Sequence, residues 1–161
     1  RCRLFPEAWV WHKRRTDMRK FFRQVFNSGI ARINLHKRHP GSLKLVHLLP
    51  AVFTLGVIGL LLLFVTGIVL IAIGLTNAMH TYSVCGGLLM ALSFLPLMLY
   101  SLLIFVDSSL QNRSLKVGIL SIPAAFVQLL GYGSGFLKAW WLRCVCGRNE
   151  ELQAFRKTFY K

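Results

Sequence analysis

Residues 48–75 read LLPAVFTLGVIGLLLLFVTGIVLIAIGL, 28 positions without a charged side chain. A helix of about 20 apolar residues already crosses roughly 30 Å of hydrocarbon, so this run predicts either a tilted membrane span or a tight hairpin. Outward from it, Leu45 to Val106 contains no Asp, Glu, Lys or Arg. Two further apolar runs, Val84 to Val106 and Val117 to Leu137, are each long enough to cross. The predicted connections are a neutral loop, Thr76 to Ser83, and a polar loop, Asp107 to Lys116. With a net charge of +15 and 55% hydrophobic residues, the chain reads as an all-α membrane protein, because a soluble domain of this size rarely combines the two.

The charge is concentrated ahead of the first span. Arg1 to Lys44 holds twelve Lys or Arg against Glu7 and Asp17, a net +10. Six of those cations fall in WVWHKRRTDMRKFFRQVF, residues 9–26. Ala8 to His12 alternates with period two, which predicts a short strand needing sheet partners from elsewhere. From Thr16 the period changes. Met18, Phe21, Phe22, Val25, Phe26, Gly29, Ile30 and Ile33 recur at steps of three and four, while Arg19, Lys20, Arg23 and Arg32 take the other faces, which predicts an amphipathic helix. Thr16 is the expected N-cap with Asp17 in the first turn, and the basic run before Pro40-Gly41 closes the helix. Aromatics beside cations ahead of a span suit a helix at the headgroup level, on anionic lipid.

The positive-inside rule assigns this basic region to the cytoplasm. Three crossings then place the basic tail after Lys138 outside, against the same rule. The third run is the suspect, since Pro123, Gln128 and Gly131-Tyr132-Gly133-Ser134-Gly135 interrupt it and predict a broken helix. Trp140 and Trp141 beside Lys138 and Arg143 suit an interfacial belt. Four cysteines, Cys2, Cys85, Cys144 and Cys146, show no zinc spacing; they fit reduced thiols, or lipid attachment for the last pair.

FPEAWVWHKRRTDMRKFFRQVFNSGIAR (5–32), HLLP (47–50), Ile122-Pro123, QLLGYGSGFLKAWW (128–141) and FRKTFYK (155–161) together resemble the C-terminal part of bacterial membrane-bound family-2 glycosyltransferases. The resemblance implies a division into four parts. Residues 1–16 would end a GT-A catalytic domain, 17–44 form a basic interfacial helix and linker, 45–138 hold membrane helices, and 139–161 form a basic tail. It also implies a parent enzyme of the bacterial cytoplasmic membrane that passes sugar, with inversion, from a nucleotide-sugar donor to a lipid-linked or polysaccharide acceptor, using a divalent metal, Mg or Mn. His12 would lie near the donor diphosphate and its metal, with Arg14 and Arg15 pairing with phosphate oxygens.

The departures limit what this chain does by itself. The nucleotide-binding strands, the Asp-x-Asp-type metal motif and a catalytic base are absent from the 161 residues, so the fragment alone is expected to be inactive. No Arg-Trp follows Gln24 at the spacing that processive synthases use. Arg23, Gln24 and Arg32 could face either the catalytic domain or the headgroups. Tyr132 among its glycines is a packing residue or marks the acceptor side. The competing expectation is a small membrane adaptor whose basic helix binds anionic lipid or a partner protein. A transporter is disfavoured by spans without ionisable groups, and nucleic acid by the apolar helix face.

Overall fold

The structure, a computed structural model, describes Glu7, residues 17–148, Glu150 and Leu152. The expected strand Ala8 to His12 and the Thr16 cap lie outside these residues. Four α-helices follow in order: α1 (Met18–Arg38), α2 (Leu49–Thr76), α3 (His80–Asn112) and α4 (Leu115–Trp140). A single 3₁₀ turn, Leu45–His47, precedes α2, and a π turn, Trp141–Val145, closes α4. Three of the helices, α2, α3 and α4 with their flanking turns, are long and apolar enough to cross a membrane.

The N-cap of α1 is Asp17, one residue later than the sequence suggests. Its carboxylate accepts from the Arg19 backbone N–H at 2.8 Å, satisfying one of the first-turn donors that a helix leaves open. His36, Lys37 and Arg38 occupy the last turn, and Gly41 takes the positive φ of 89° that turns the chain away.

α2 and α3 form an antiparallel hairpin along their full length. Phe53 packs on Tyr100 in a tilted pair, 5.2 Å between ring centroids, Gly67 lies against Gly86, and Gly74 lies against Ser83, so residue number falls along α3 as it rises along α2. A Cβ on Gly67 would meet the Gly86 carbonyl at 2.7 Å, and one on Gly86 would meet the Gly67 carbonyl at 2.6 Å. Backbones this close need residues without side chains, and close packing is what holds helices together where lipid is as apolar as they are.

Both expected loops are shorter than the sequence reading gives. Asn77 to Met79 alone join α2 to α3, with Ala78 at φ 51° and the Met79 N–H bonded to the Gly74 carbonyl at 2.9 Å. Arg113 and Ser114 join α3 to α4, with Arg113 at φ 49°. Polar residues from Asp107 onward continue α3, where Gln111 donates to the Asp107 carboxylate one turn back at 2.8 Å.

The interruption expected in the third run is absent: α4 is one continuous helix through Pro123 and all three glycines. Those glycines are contact points. Gly131 and Gly135, four apart and on one face, meet α1, whereas Gly133 on the opposite face meets Pro50 and Thr54 of α2. α2, α3 and α4 meet together at a ring cluster, Phe53, Tyr100 and Phe126, with centroids 5.2 to 5.9 Å apart. The buried core lies elsewhere, between α1, the start of α2 and the end of α4: Ile30, Ile33, Ala51, Phe136 and Ala139.

Candidate membrane-face site

α1 and the second half of α4 run side by side in the same direction. Phe22 faces Gly131, Phe26 faces Gly135 and Asn34 faces Arg143, each pair 109 residues apart in sequence. A constant separation over the 12 residues from Phe22 to Asn34 means nearly parallel axes for about 18 Å. Gly29 completes the seam from the α1 side. A Cβ there would collide with the Tyr132 carbonyl and stand 2.7 Å from the Phe136 nitrogen.

The apolar stripe of α1 is therefore divided between α4 and the exposed surface. Gly29, Ile30 and Ile33 are buried against α4, while Met18 and Phe22 at the N-terminal end stay 41% and 40% exposed. Phe21 and Phe26 are half-buried. Phe22 and Phe26 stack at 6.1 Å, and the Lys138 ammonium sits 5.7 Å from the Phe26 ring centroid, within cation–π range. Tyr132 is half-buried and stacks on Phe136 at 6.4 Å, so its ring packs inside the α1–α4 seam.

The far end of the seam is polar. Arg143 is only 7% exposed, and its Nη1 donates to Asn34 Oδ1 at 2.8 Å. Burying a guanidinium is tolerable only with such charge-assisted bonds. The Asn34 amide in turn donates to the Leu152 carbonyl at 3.0 Å, which ties the segment after α4 onto α1. Close by, His47 Nδ1 accepts from the Lys44 backbone N–H at 3.0 Å and closes the 3₁₀ turn that leads into α2.

Of the sequence-derived candidates, Arg19, Lys20, Arg23 and Gln24 are exposed on the outer face of α1, and Arg32 is half-buried. Lys20 reaches Asp17 at 4.0 Å, but both side chains are largely in solvent and the pair contributes little. His12, Arg14 and Arg15 lie outside the described residues. Among the described residues, no three His, Cys, Asp or Glu side chains come together in a way that would hold a metal ion.

Asn34 and Arg143 were not singled out as a pair by sequence reasoning, because nothing local relates two residues so distant in the chain. Gly131 and Gly135 did carry a signal. A small-xxx-small pattern in an apolar helix marks a close-packing face. Compared with protein families, curated proteins and solved structures, the chain matches none.

Proposed function

We propose that this chain is the membrane-anchoring and acceptor-side portion of an inverting glycosyltransferase of a bacterial cytoplasmic membrane, inactive alone, whose parent draws on a nucleotide sugar and a divalent metal. One observation supports the reading most directly. The two longest segments that carry the family resemblance, 5–32 and 128–141, are far apart in the chain, yet their described parts pack on each other backbone to backbone through Gly29, Gly131 and Gly135. Such a seam gives a catalytic domain entering at residue 17 a fixed seat on the membrane. The cations of α1 lie beside that entry, where a lipid-linked phosphate would approach.

The experiment is to read the coding DNA directly upstream of Arg1 and then assay the joined protein. An uninterrupted frame encoding nucleotide-binding strands and an acidic metal motif is expected, and a stop codon there refutes the proposal. The isolated chain in liposomes should neither hydrolyse nor transfer from any nucleotide sugar. In the joined protein, His12→Ala should cut turnover sharply while membrane association persists; unchanged turnover and donor affinity at limiting divalent metal would remove His12 from the donor site.

A further inference from the structure

A third span running parallel to α2 would keep advancing along it. Phe126 lies level with Phe53, their rings 5.9 Å apart. Ten residues later a parallel α4 would stand near Leu63. Instead Gly133 lies against Pro50 and Thr54, and Phe136 and Ala139 share their core with Ala51, Leu48 and Leu43. Along α4 from Phe126 onward, the chain gains at most one residue of depth against α2, at Thr54, and then returns past its first turn.

The first half of α4 tells the same story. It starts beside the end of α3, where Gly118 packs on Phe105 and Ser109, and this part of α3 extends beyond the first residue of α2. Both ends of α4 thus sit at the level where α2 begins. Its deepest described packing points, Phe126 on Phe53 and Leu129 and Gly133 on Thr54, reach four to five residues past Leu49, or about 6–8 Å along the α2 axis. That is the depth of a helix lying in the interface, roughly 5–10 Å into the boundary of headgroups and acyl chains.

Three further observations agree. The remote part of the hairpin has no third helix on it: Leu61, Leu62, Val65, Val84, Leu88 and Leu92 are all exposed. Gln128, at the midpoint of α4, is also exposed, and a crossing helix would hold that amide in hydrocarbon without a partner. Finally, the twenty Lys and Arg all precede Leu45 or follow Asn112, while the turn at the far end of the hairpin, Asn77 to Met79, has none. Two crossings gather every cation on one side and remove the conflict that three crossings create.

We infer that only α2 and α3 cross the membrane, and that α4 lies with α1 as a paired layer on the face where α2 begins, bedded in the headgroups of an anionic bilayer. Lys20, Arg23, Lys37, Lys44, Lys138 and Arg148 are exposed on this end, the charge complement of a phosphate surface. The tail after Trp140 then shares the side of the N-terminal region. This inference is independent of any enzymatic reading.

The full chain, with Cys2, Cys85, Cys144 and Cys146 replaced by Ser, is reconstituted in vesicles of phosphatidylcholine and phosphatidylglycerol. Single-cysteine variants Lys44→Cys, Asn77→Cys and Arg148→Cys are then exposed to a membrane-impermeant maleimide. Lys44→Cys and Arg148→Cys should label from one side and Asn77→Cys from the other. If Arg148→Cys labels together with Asn77→Cys, α4 crosses and the inference is overturned. Nitroxide depth gives a second reading that is independent of sidedness. A label at Gln128→Cys should lie near the headgroups and one at Leu62→Cys near the bilayer centre; equal, central depths would equally overturn it.

Discussion

Gly135→Ala adds one methyl group to α4, and the structure specifies what it hits. The new Cβ would overlap the Phe26 carbonyl oxygen and stand 2.8 Å from its carbon and 3.1 Å from its Cα. All three are backbone atoms of α1, so no rotamer change relieves the contact and the helix itself must retreat by about 1 Å. A radial gap of 0.5–1 Å forfeits roughly a quarter to a half of each dispersion contact along the seam. Overpacking of this kind costs about 1–3 kcal/mol. Loosening the bond from Arg143 to Asn34, a hydrogen bond to a charged group, adds to that. A total of about 3 kcal/mol lowers the ratio of docked to undocked α1 roughly a hundredfold. Amide hydrogen exchange across Phe22 to Asn34 in nanodiscs reads that ratio directly. The control is the same substitution at Gly56, where a Cβ meets nothing within 4 Å. Gly56→Ala should be neutral, or stabilise α2 by about 0.5–1 kcal/mol through helix propensity. Equal protection of α1 in Gly135→Ala, Gly56→Ala and the native chain would refute the backbone seam.

Asn34→Ala removes both the acceptor for Arg143 and the donor to the Leu152 carbonyl, so trypsin cleavage after Arg148 should speed up about tenfold, the equivalent of about 1.4 kcal/mol; an unchanged rate would show that other contacts hold this segment. Gly86→Ala should loosen the hairpin, because its Cβ meets the Gly67 carbonyl at 2.6 Å, whereas Gly87→Ala beside it faces open space and should leave the thermal midpoint in detergent unchanged. A peptide of residues 16–38 should be unordered in buffer and helical by circular dichroism on anionic vesicles, with affinity falling as salt shortens the Debye length below about 8 Å. Phe22→Glu with Phe26→Glu should abolish that binding, and equal binding to neutral vesicles would contradict the electrostatic part.

The amphipathic period of α1, the uncharged run of α2 and the charge asymmetry were legible because each is a local property. Side-chain spacing of 3.6 residues fixes a helical face, and about 20 apolar residues fix a membrane-length helix, whatever surrounds them. Helix ends were less legible. Hydropathy reports which residues tolerate hydrocarbon, while backbone hydrogen bonding decides where a helix stops, so α3 runs on through Asp107 and Gln111 to a left-handed Arg113. The glycines of α4 exposed the limit most clearly. In sequence, Gly131-Tyr132-Gly133-Ser134-Gly135 reads as a break, since glycine weakens an isolated helix by about 1 kcal/mol each. In the fold the same residues admit α1 on one face and α2 on the other, and packing offsets what propensity loses. Local pattern alone determined that this chain has three membrane-length apolar helices behind a basic amphipathic one. Only the tertiary structure decided which helix each glycine faces, that Asn34 meets Arg143, and that α4 turns toward α1 instead of following α2. Those facts depend on pairs of residues distant in the chain, whose approach is set by the shape of both surfaces together and by no local pattern in either.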